Sequence, residues 1–250
     1  MTGITSEPAL EPTRETAREP ANEPTGEPAP ERTGEPAPEP APEPAGLRDA
    51  LISAGIALLA EGGMANLTLR RAAARAGVSH AAPAHHFDGL PGLLTAIAAR
   101  AFRTFADMLH AAREAAGPDP RARLNGTCQG YLTFAATHAG LFHLMFLAPQ
   151  VNRADPDLMP HATRSYQILR EACLPYAKTG PDEVLEVAVW SMVHGYALLG
   201  FGSDDPTRLP FSRRPGFAEL LTELLAGRPE PRDNPNENPT NPLAPAAQLR

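Results

Sequence analysis

The chain has 250 residues, with 29 acidic and 22 basic side chains and a formal net charge of −7. No apolar segment follows basic residues near its start, and the uncharged, mostly apolar stretch 187–203 is too short to span a membrane. These features disfavour secreted and membrane proteins, and we expect a cytoplasmic protein without membrane contact.

The first 46 residues form a glutamate–proline repeat. Glutamate occupies every fourth position from 7 to 43, and proline follows eight of these ten glutamates. Proline in nearly every turn is incompatible with a helix, and the low apolar content cannot offset the entropy lost on ordering. We predict a disordered tail over 1–46 and a second one, rich in proline and asparagine, over 228–250. The first tail has a net charge of −7, whereas residues 47–103 have a net charge of +3.

Residues 47–90 have the pattern of a small three-helix domain. Apolar residues recur at helical spacing in its first segment, and a glycine pair ends that helix. Thr68 can cap a second helix with its hydroxyl group, and Gly77 permits the left-handed turn that ends it. Ser79 can then cap a third helix over residues 79–87. This order predicts a helix–turn–helix, whose second helix enters the major groove of DNA.

This segment resembles the DNA-binding domain of the TetR family of bacterial transcriptional regulators. A separate match further along the chain resembles the subfamily with a Trp…His-Gly (WHG-type) C-terminal domain. The resemblance implies an all-α fold with an N-terminal three-helix helix–turn–helix domain over 47–90. It also implies a C-terminal helical ligand-binding and dimerisation domain over 91–227, with the two disordered tails on either side. The residues that carry both matches are Thr68, Ala73, Ala76-Gly77-Val78-Ser79, His86-Phe87, Trp190 and His194-Gly195.

The resemblance also implies which side chains contact DNA. His80, Ala81 and His85 are expected to face the bases, with the neighbouring residues on the phosphates. Arg70, Arg71 and Arg75 could instead form a solvated surface, but their place on the helix beside the third helix favours phosphate contact. The expected DNA-binding residues are Thr68, Arg70, Arg71, Ser79, His80, Ala81, His85 and His86.

The sequence departs from the family pattern at two positions where the usual side chains bind DNA phosphates. Ala84 stands where the family usually has tyrosine, and Leu90 where it has lysine. We therefore expect specific but weak DNA binding.

Residues 91–227 predict five or six helices, with apolar residues at helical spacing throughout. Aromatic and methionine side chains on these helices could line a cavity for an apolar or weakly polar small molecule, and ordinary core packing is the alternative. The expected lining residues are Phe105, Met108, Tyr131, Phe134, Phe142, Met145, Phe146, Trp190 and His194.

The helix predicted for 184–200 is apolar on every side, so it must be covered on every side. The other helices of one chain can cover about half of it. We therefore expect a homodimer, as the family resemblance also implies. The expected interface residues are Trp190, Val193, Tyr196, Leu221 and Leu224.

Other site chemistry has little support in the sequence. His85 and His86 are adjacent and would point about 100° apart on a helix, and no His-x3-His or Cys-x2-Cys spacing occurs. We expect no metal and no cofactor. Cys128 and Cys173 are expected to be buried thiols, with a redox-sensing pair as the alternative. No phosphate-binding loop or nucleophile motif is present, so an enzyme is not expected.

These patterns lead to two hypotheses. The first is a DNA-binding transcriptional repressor, released by a small apolar ligand, that binds a palindromic operator in double-stranded DNA as a homodimer. The alternative is a helical dimer that binds a ligand or partner and whose helix–turn–helix has lost strong DNA binding.

Overall fold

The structure, a computed structural model, describes residues 44–177, 180–200, 215–228 and 231. This part of the chain forms eight α-helices and no strand, which confirms the predicted all-α class. Both predicted tails lie outside it, apart from a few residues at their inner ends. The helices are α1 (Pro44–Asn66), α2 (Leu69–Arg75), α3 (Gly89–Ala115), α4 (Pro120–Thr137), α5 (Ala139–Leu147), α6 (Met159–Cys173), α7 (Glu183–Leu199) and α8 (Phe217–Leu225).

Helix α1 begins at Pro44, three residues before the predicted domain boundary. Proline is well tolerated in the first turn of a helix because its missing N–H would have no partner there. The predicted glycine pair interrupts the helix, since Gly63 adopts a left-handed φ of 62°. Beyond this break, the side-chain amide of Asn66 donates to the carbonyl oxygen of Leu58 at 2.9 Å and fixes the last turn of α1.

Helix α3 runs 27 residues and joins the two predicted domains. It packs on α1 and α2 of the first predicted domain and on α4, α5 and α6 of the second. The side chains of Leu93, Leu94 and Ile97 are almost fully buried at the first end, and Phe105 and Leu109 at the second. The predicted boundary at residues 90 and 91 therefore lies inside one continuous helix, and the core is continuous across it.

Helix α5 lies directly against α1. A Cβ atom placed on Gly140 would be only 2.7 Å from the carbonyl oxygen of Leu59. Real side chains do not come so close to a backbone oxygen, so glycine is required for this approach. The contact places α5 against the predicted helix–turn–helix domain on one side and the C-terminal core on the other.

Helices α6 and α7 are joined by a buried carboxylate. Glu186 is 1% exposed and accepts a hydrogen bond from the hydroxyl of Tyr166, and Arg170 lies 3.7 Å from its other oxygen. That hydrogen bond raises the pKa of Tyr166 to about 12, with desolvation adding to the effect. Cys128 and Cys173 are both buried and free, as expected, and burial raises the pKa of each thiol.

Candidate functional site

The start of the helix–turn–helix forms as the sequence predicts. The hydroxyl of Thr68 accepts a hydrogen bond from the backbone N–H of Arg71 at 3.2 Å, which confirms the predicted cap of α2. Ala72 and Ala73 are fully buried, because their small side chains let α2 pack closely on its neighbours. Gly77 has a φ of 70°, as the predicted left-handed turn requires.

The third helix of the domain is much shorter than expected. A regular helix over residues 79–87 is not formed, and the only helical element there is a 3₁₀ turn, Ala82–His85. Pro83 explains the difference, because it has no N–H to donate and disfavours the α conformation in the residue before it. The predicted cap at Ser79 is also absent: Ala81 precedes the turn, and no side chain caps it.

Backbone hydrogen bonds between residues three or four apart hold this turn, which we call the reading turn. The N–H of Ala82 donates to the carbonyl oxygen of Ser79, and the N–H of Ala84 to that of Ala81, each at 3.1 Å. The N–H of Phe87 then donates to the carbonyl oxygen of Pro83 at 2.9 Å. The buried ring of Phe87 fixes the end of the turn in the core.

The predicted DNA-binding residues lie on α2 and on the segment that contains the reading turn, two elements in contact with each other. Arg70 and Arg71 form no ion pair within the described part of the chain. Arg75, in contrast, is held by Glu61 at 2.7 Å. Of the predicted residues, only His86 is half-buried, and the exposed ones are Thr68, Arg70, Arg71, Ser79, His80, Ala81 and His85.

One basic residue of this domain was not predicted as part of the site. The guanidinium carbon of Arg48 on α1 lies 5.5 Å from the centre of the Phe87 ring, and its Nη2 atom lies 3.7 Å from Asp157. Arg48 therefore adds positive charge near the end of the reading turn. The sequence signal was a basic residue in the first turns of α1, but only the fold brings it beside Phe87.

A cavity of about 250 Å³ lies among α3, α4, α5, α6, α7 and the loop before α6. Four of the nine predicted lining residues are on its wall: Phe105, Tyr131, Phe146 and Trp190. The described residues that form the wall are Phe102, Phe105, Tyr131, Phe146, Arg153, Leu158, Met159, Ala162, Ser165, Tyr166, Leu169 and Trp190.

The other five predicted lining residues are not on the wall. Phe134 and Met145 are completely buried in the core, and Phe142 is nearly buried but lines a different pocket, with Leu132 and Tyr196. Met108 is half-buried and packs against the core. His194 is absent from the wall but lies directly behind it.

His194 supports the wall through a hydrogen bond of 2.5 Å between its Nδ1 atom and the hydroxyl oxygen of Tyr131. The rings of Phe142 and Phe146 lie 5.5 and 5.0 Å from the imidazole, centre to centre. This desolvated setting lowers the pKa of His194, which favours the neutral imidazole. Burial raises the pKa of Tyr131, so its phenol stays protonated.

Residues of α6 and of the loop before it were missed at this cavity. Arg153, Leu158, Ser165, Tyr166 and Leu169 supply a large part of the wall. The predicted set contains only aromatic, methionine and histidine side chains from other helices. The amphipathic pattern of α6 could have predicted that its apolar side faces the cavity. No local sequence pattern indicates that the loop before α6 folds over the cavity.

Helix α7 retains a large exposed apolar face. Val184 is 75% exposed, Val187 is 54% exposed and Leu198 is 45% exposed. With Ser191 and Gly195, these residues recur every three or four positions and so lie on one side of the helix, which we call the α7 stripe. A Cβ atom on Gly195 would meet nothing within 4 Å, so the centre of the stripe is open to a close neighbour.

Three of the five predicted interface residues lie away from this face. Val193 and Leu221 are each 1% exposed and Tyr196 is 8% exposed, because other helices of the same chain cover them. They have almost no surface left for a second copy, whereas the exposed apolar residues of the α7 stripe do. Trp190 and Leu224 retain partial exposure.

The described residues form neither a metal centre nor a membrane span. Among them, no group of three or more histidine, cysteine or acidic side chains is arranged to hold a metal ion. None of the helices described is both long and apolar enough to cross a membrane.

Two family models match the chain in the same order as its two regions. Residues 51–97 match bacterial regulatory proteins of the tetR family, and residues 124–224 match a Tetracyclin repressor-like C-terminal domain. The chain belongs to the TetR family. No curated protein matches the sequence.

Solved structures share the TetR fold of this chain. A protein with unknown function from Rhodococcus sp. RHA1 has a TM-score of 0.58 and 26% identity, over 75% of this chain and 94% of that one. A TetR family member from Streptomyces coelicolor A3 has a TM-score of 0.51 and 25% identity, over 71% and 97%. The multidrug binding protein EbrR, complexed with imidazole, has a TM-score of 0.52 and 23% identity, over 77% and 98%.

Proposed function

We propose that this chain is a DNA-binding transcriptional repressor that acts as a homodimer and leaves its operator when a small hydrophobic ligand occupies the cavity. The observation that carries the proposal is the exposed pair Arg70 and Arg71, free of acidic partners in the described part of the chain. They lie beside a reading turn with exposed side chains in a TetR-family domain.

Each part of this surface has a defined role in the proposal. Arg70, Arg71 and the backbone around Thr68 hold phosphates, which supplies affinity without sequence preference. His80 and His85 offer imidazole nitrogens to base edges, and Ala81 offers a methyl group, for example to thymine. The remaining predicted DNA-binding residues, Ser79 and His86, lie at the two ends of the turn.

The α7 stripe supports the homodimer. Valine and leucine side chains exposed to this degree are costly in water, and burying them against the same stripe of a second copy removes that cost. Ser191 and Gly195 at its centre allow the two helices to approach closely. Such a dimer presents two reading turns related by a two-fold axis, which matches a palindromic operator.

The position of the cavity supports control by a ligand. Phe146 of α5 is part of the wall, and Gly140 of the same helix contacts α1 of the DNA-binding region. A ligand that shifts α5 therefore acts on the position of α1. EbrR, which shares the fold, is a multidrug binding protein, and its structures with imidazole and ethidium show that a ligand site is compatible with this architecture.

The Trp190, His194 and Gly195 residues further support a place in the WHG-type subfamily. Trp190 lies on the cavity wall, and His194 is hydrogen-bonded to Tyr131, which is also on the wall. Two of the three residues therefore lie at or directly behind the proposed ligand site. Gly195 lies on the α7 stripe.

The alternative function is a ligand- or partner-binding dimer that no longer binds DNA strongly. Ala84 is exposed but lacks a hydroxyl for a phosphate, and Leu90 packs against the core. Both residues weaken the DNA surface without affecting the cavity.

Selection of bound duplexes from random DNA at low salt tests the proposal. We expect enrichment of a palindrome. The slope of log affinity against log salt should become shallower by about 0.9 for each phosphate that Arg70→Gln or Arg71→Gln leaves without its arginine. Arg164→Gln, at an exposed position on α6, is the matched control and should leave the slope unchanged. Enrichment of nothing at low salt would favour the alternative function.

A further inference from the structure

The cavity wall carries few polar atoms, and most of their hydrogens are already used. The hydroxyl of Ser165 donates to the backbone carbonyl oxygens of His161 and Ala162, and the hydroxyl of Tyr166 donates to Glu186. The hydroxyl of Tyr131 is hydrogen-bonded to His194. A ligand therefore finds few free donors on α4 and α6.

Arg153 is the exception. Its guanidinium group donates to the carbonyl oxygen of Met145 at 2.9 Å and to that of Phe146 at 3.1 Å. These bonds hold the group at the C-terminal end of α5, beside the cavity. A guanidinium has five N–H donors, so others remain free, and Arg153 has no acidic partner within the described part of the chain.

The charges on the wall distinguish anionic from cationic ligands. Among the described residues that line the cavity, Arg153 is the only charged one. The acidic group that contacts the wall, Glu186, lies behind Tyr166 and accepts that residue's hydrogen bond. A cationic ligand would meet the positive charge of Arg153, whereas an anionic one would gain charge-assisted hydrogen bonds from it.

We propose that the ligand of this cavity is a small hydrophobic carboxylic acid, with its carboxylate on the guanidinium of Arg153 and its body among the aromatic side chains. Phe102, Phe105, Phe146 and Trp190 supply the apolar surface for the body. The volume of about 250 Å³ is below the usual range of roughly 300 to 1,000 Å³, so the acid is small. This inference rests on the proposed control by a ligand and names the chemical class of that ligand.

Three probes with one hydrophobic body and different head groups test the inference: 4-phenylbutyrate, 4-phenylbutyramide and 4-phenylbutylamine. Trp190 is the single tryptophan of the chain and lies on the wall, so its fluorescence reports binding directly. We expect the acid to bind at least about tenfold more tightly than the amide, and the amine to bind most weakly.

Variants of Arg153 assign the preference to its side chain. In Arg153→Gln the acid should bind no more tightly than the amide, and the affinity for the amide should stay unchanged. Arg153→Lys keeps the charge and should retain part of the preference. Arg164→Gln removes the same charge away from the cavity and should retain all of it. Circular dichroism melting of each variant verifies that the end of α5 remains folded.

Each contrary outcome is distinct. Equal affinity for acid and amide in the unmodified chain overturns the head-group assignment but leaves a ligand-binding cavity. Tightest binding of the amine overturns it in favour of a cation site formed by Glu186. No change in Trp190 fluorescence with any probe overturns both this inference and the proposed control by a ligand.

Discussion

Gly140 occupies a position where a single methyl group would alter the contact between two parts of the molecule. In Gly140→Ala the new Cβ atom would lie 2.7 Å from the carbonyl oxygen of Leu59, which is held within the backbone of α1. Because neither backbone can move freely, we expect a loss of about 1–3 kcal/mol in the free energy of unfolding. Urea denaturation measures this loss.

Ala139→Ser, at an exposed position in the same turn of α5, is the control for Gly140→Ala and should change stability little. A Gly140→Ala variant as stable as the unmodified chain would show that α5 can move away from α1 without cost. In that case α5 could not transmit a change in the cavity to the DNA-binding region.

His194 makes the stability of the fold depend on pH near neutrality. Desolvation lowers its pKa below the unfolded value of about 6.5, so the unfolded chain binds more protons in that range. The stability that the neutral imidazole contributes is complete above this unfolded value and is lost as the pH falls through the folded pKa. His194→Gln keeps a hydrogen-bonding group beside Tyr131 but does not titrate.

We therefore expect the melting temperature to fall less between pH 7.5 and about pH 5.5 in His194→Gln than in the unmodified chain. His110→Gln is a suitable control, since His110 is exposed on α3. Parallel pH profiles for the unmodified chain and His194→Gln would contradict this role of His194.

Single residues were predictable where local chemistry decides their conformation. The cap at Thr68 and the left-handed turn at Gly77 both follow from the residue type and a few neighbours. The partner of His194, in contrast, is Tyr131, which lies 63 positions away in the sequence. Such a contact depends on how α4 packs against α7, and periodicity alone does not determine that.

Helix α7 offers a test that separates its two faces. Val187 on the α7 stripe is 54% exposed, whereas Val193 is 1% exposed in the core of the same chain. We expect Val187→Glu to give a folded monomer, because the new charge opposes burial against a second copy. Val193→Glu should fail to fold, because it places a charge inside the chain. Sedimentation equilibrium and circular dichroism distinguish these two results.

Val187→Thr, nearly the same size as valine, is the control and should weaken the dimer less than glutamate does. A Val187→Glu variant that remains as tightly dimeric as the unmodified chain would place the dimer contact elsewhere.

The positions of the helices along the chain were largely predictable, but which side of a helix faces the core was not. Apolar spacing predicted five or six helices over 91–227, and the described part of the chain has six there, α3 to α8. Helix α7 is apolar on all sides, so its pattern could not show which residues face the core and which face a partner. The reading turn was mispredicted for a different reason, because Pro83 prevents the regular helix that the family resemblance implies there.

Charge is unevenly distributed along the whole chain. Ten glutamates precede α1, and residues 47–103 carry a net charge of +3. We propose that these glutamates compete with DNA phosphates for Arg70 and Arg71, with an inert solvated tail as the alternative. We expect deletion of residues 1–43 to raise DNA affinity severalfold at low ionic strength and less at about 0.15 M, where screening is stronger. Fluorescence anisotropy with a selected duplex measures both affinities.

A variant whose tail has the same length but glutamine in place of every glutamate separates the effect of tail charge on DNA affinity from the effect of tail length. It should behave like the deletion if competition for the arginines is electrostatic. Equal affinities of all three proteins at low salt would show that the glutamates do not reach the DNA surface.

Because the reading turn is short, one protomer can contact only a few base pairs of DNA through its side chains. The short segment that contains this turn can present about three or four side chains to base edges, His80, Ala81 and His85 among them, so two copies would specify roughly eight base pairs. A sequence of that length recurs by chance about once in 65,000 base pairs, or on the order of a hundred times in a bacterial chromosome. The distance between half-sites and the stiffness of the DNA between them would then have to supply much of the remaining discrimination. Such a regulator is suited to a set of related sites rather than to one unique operator.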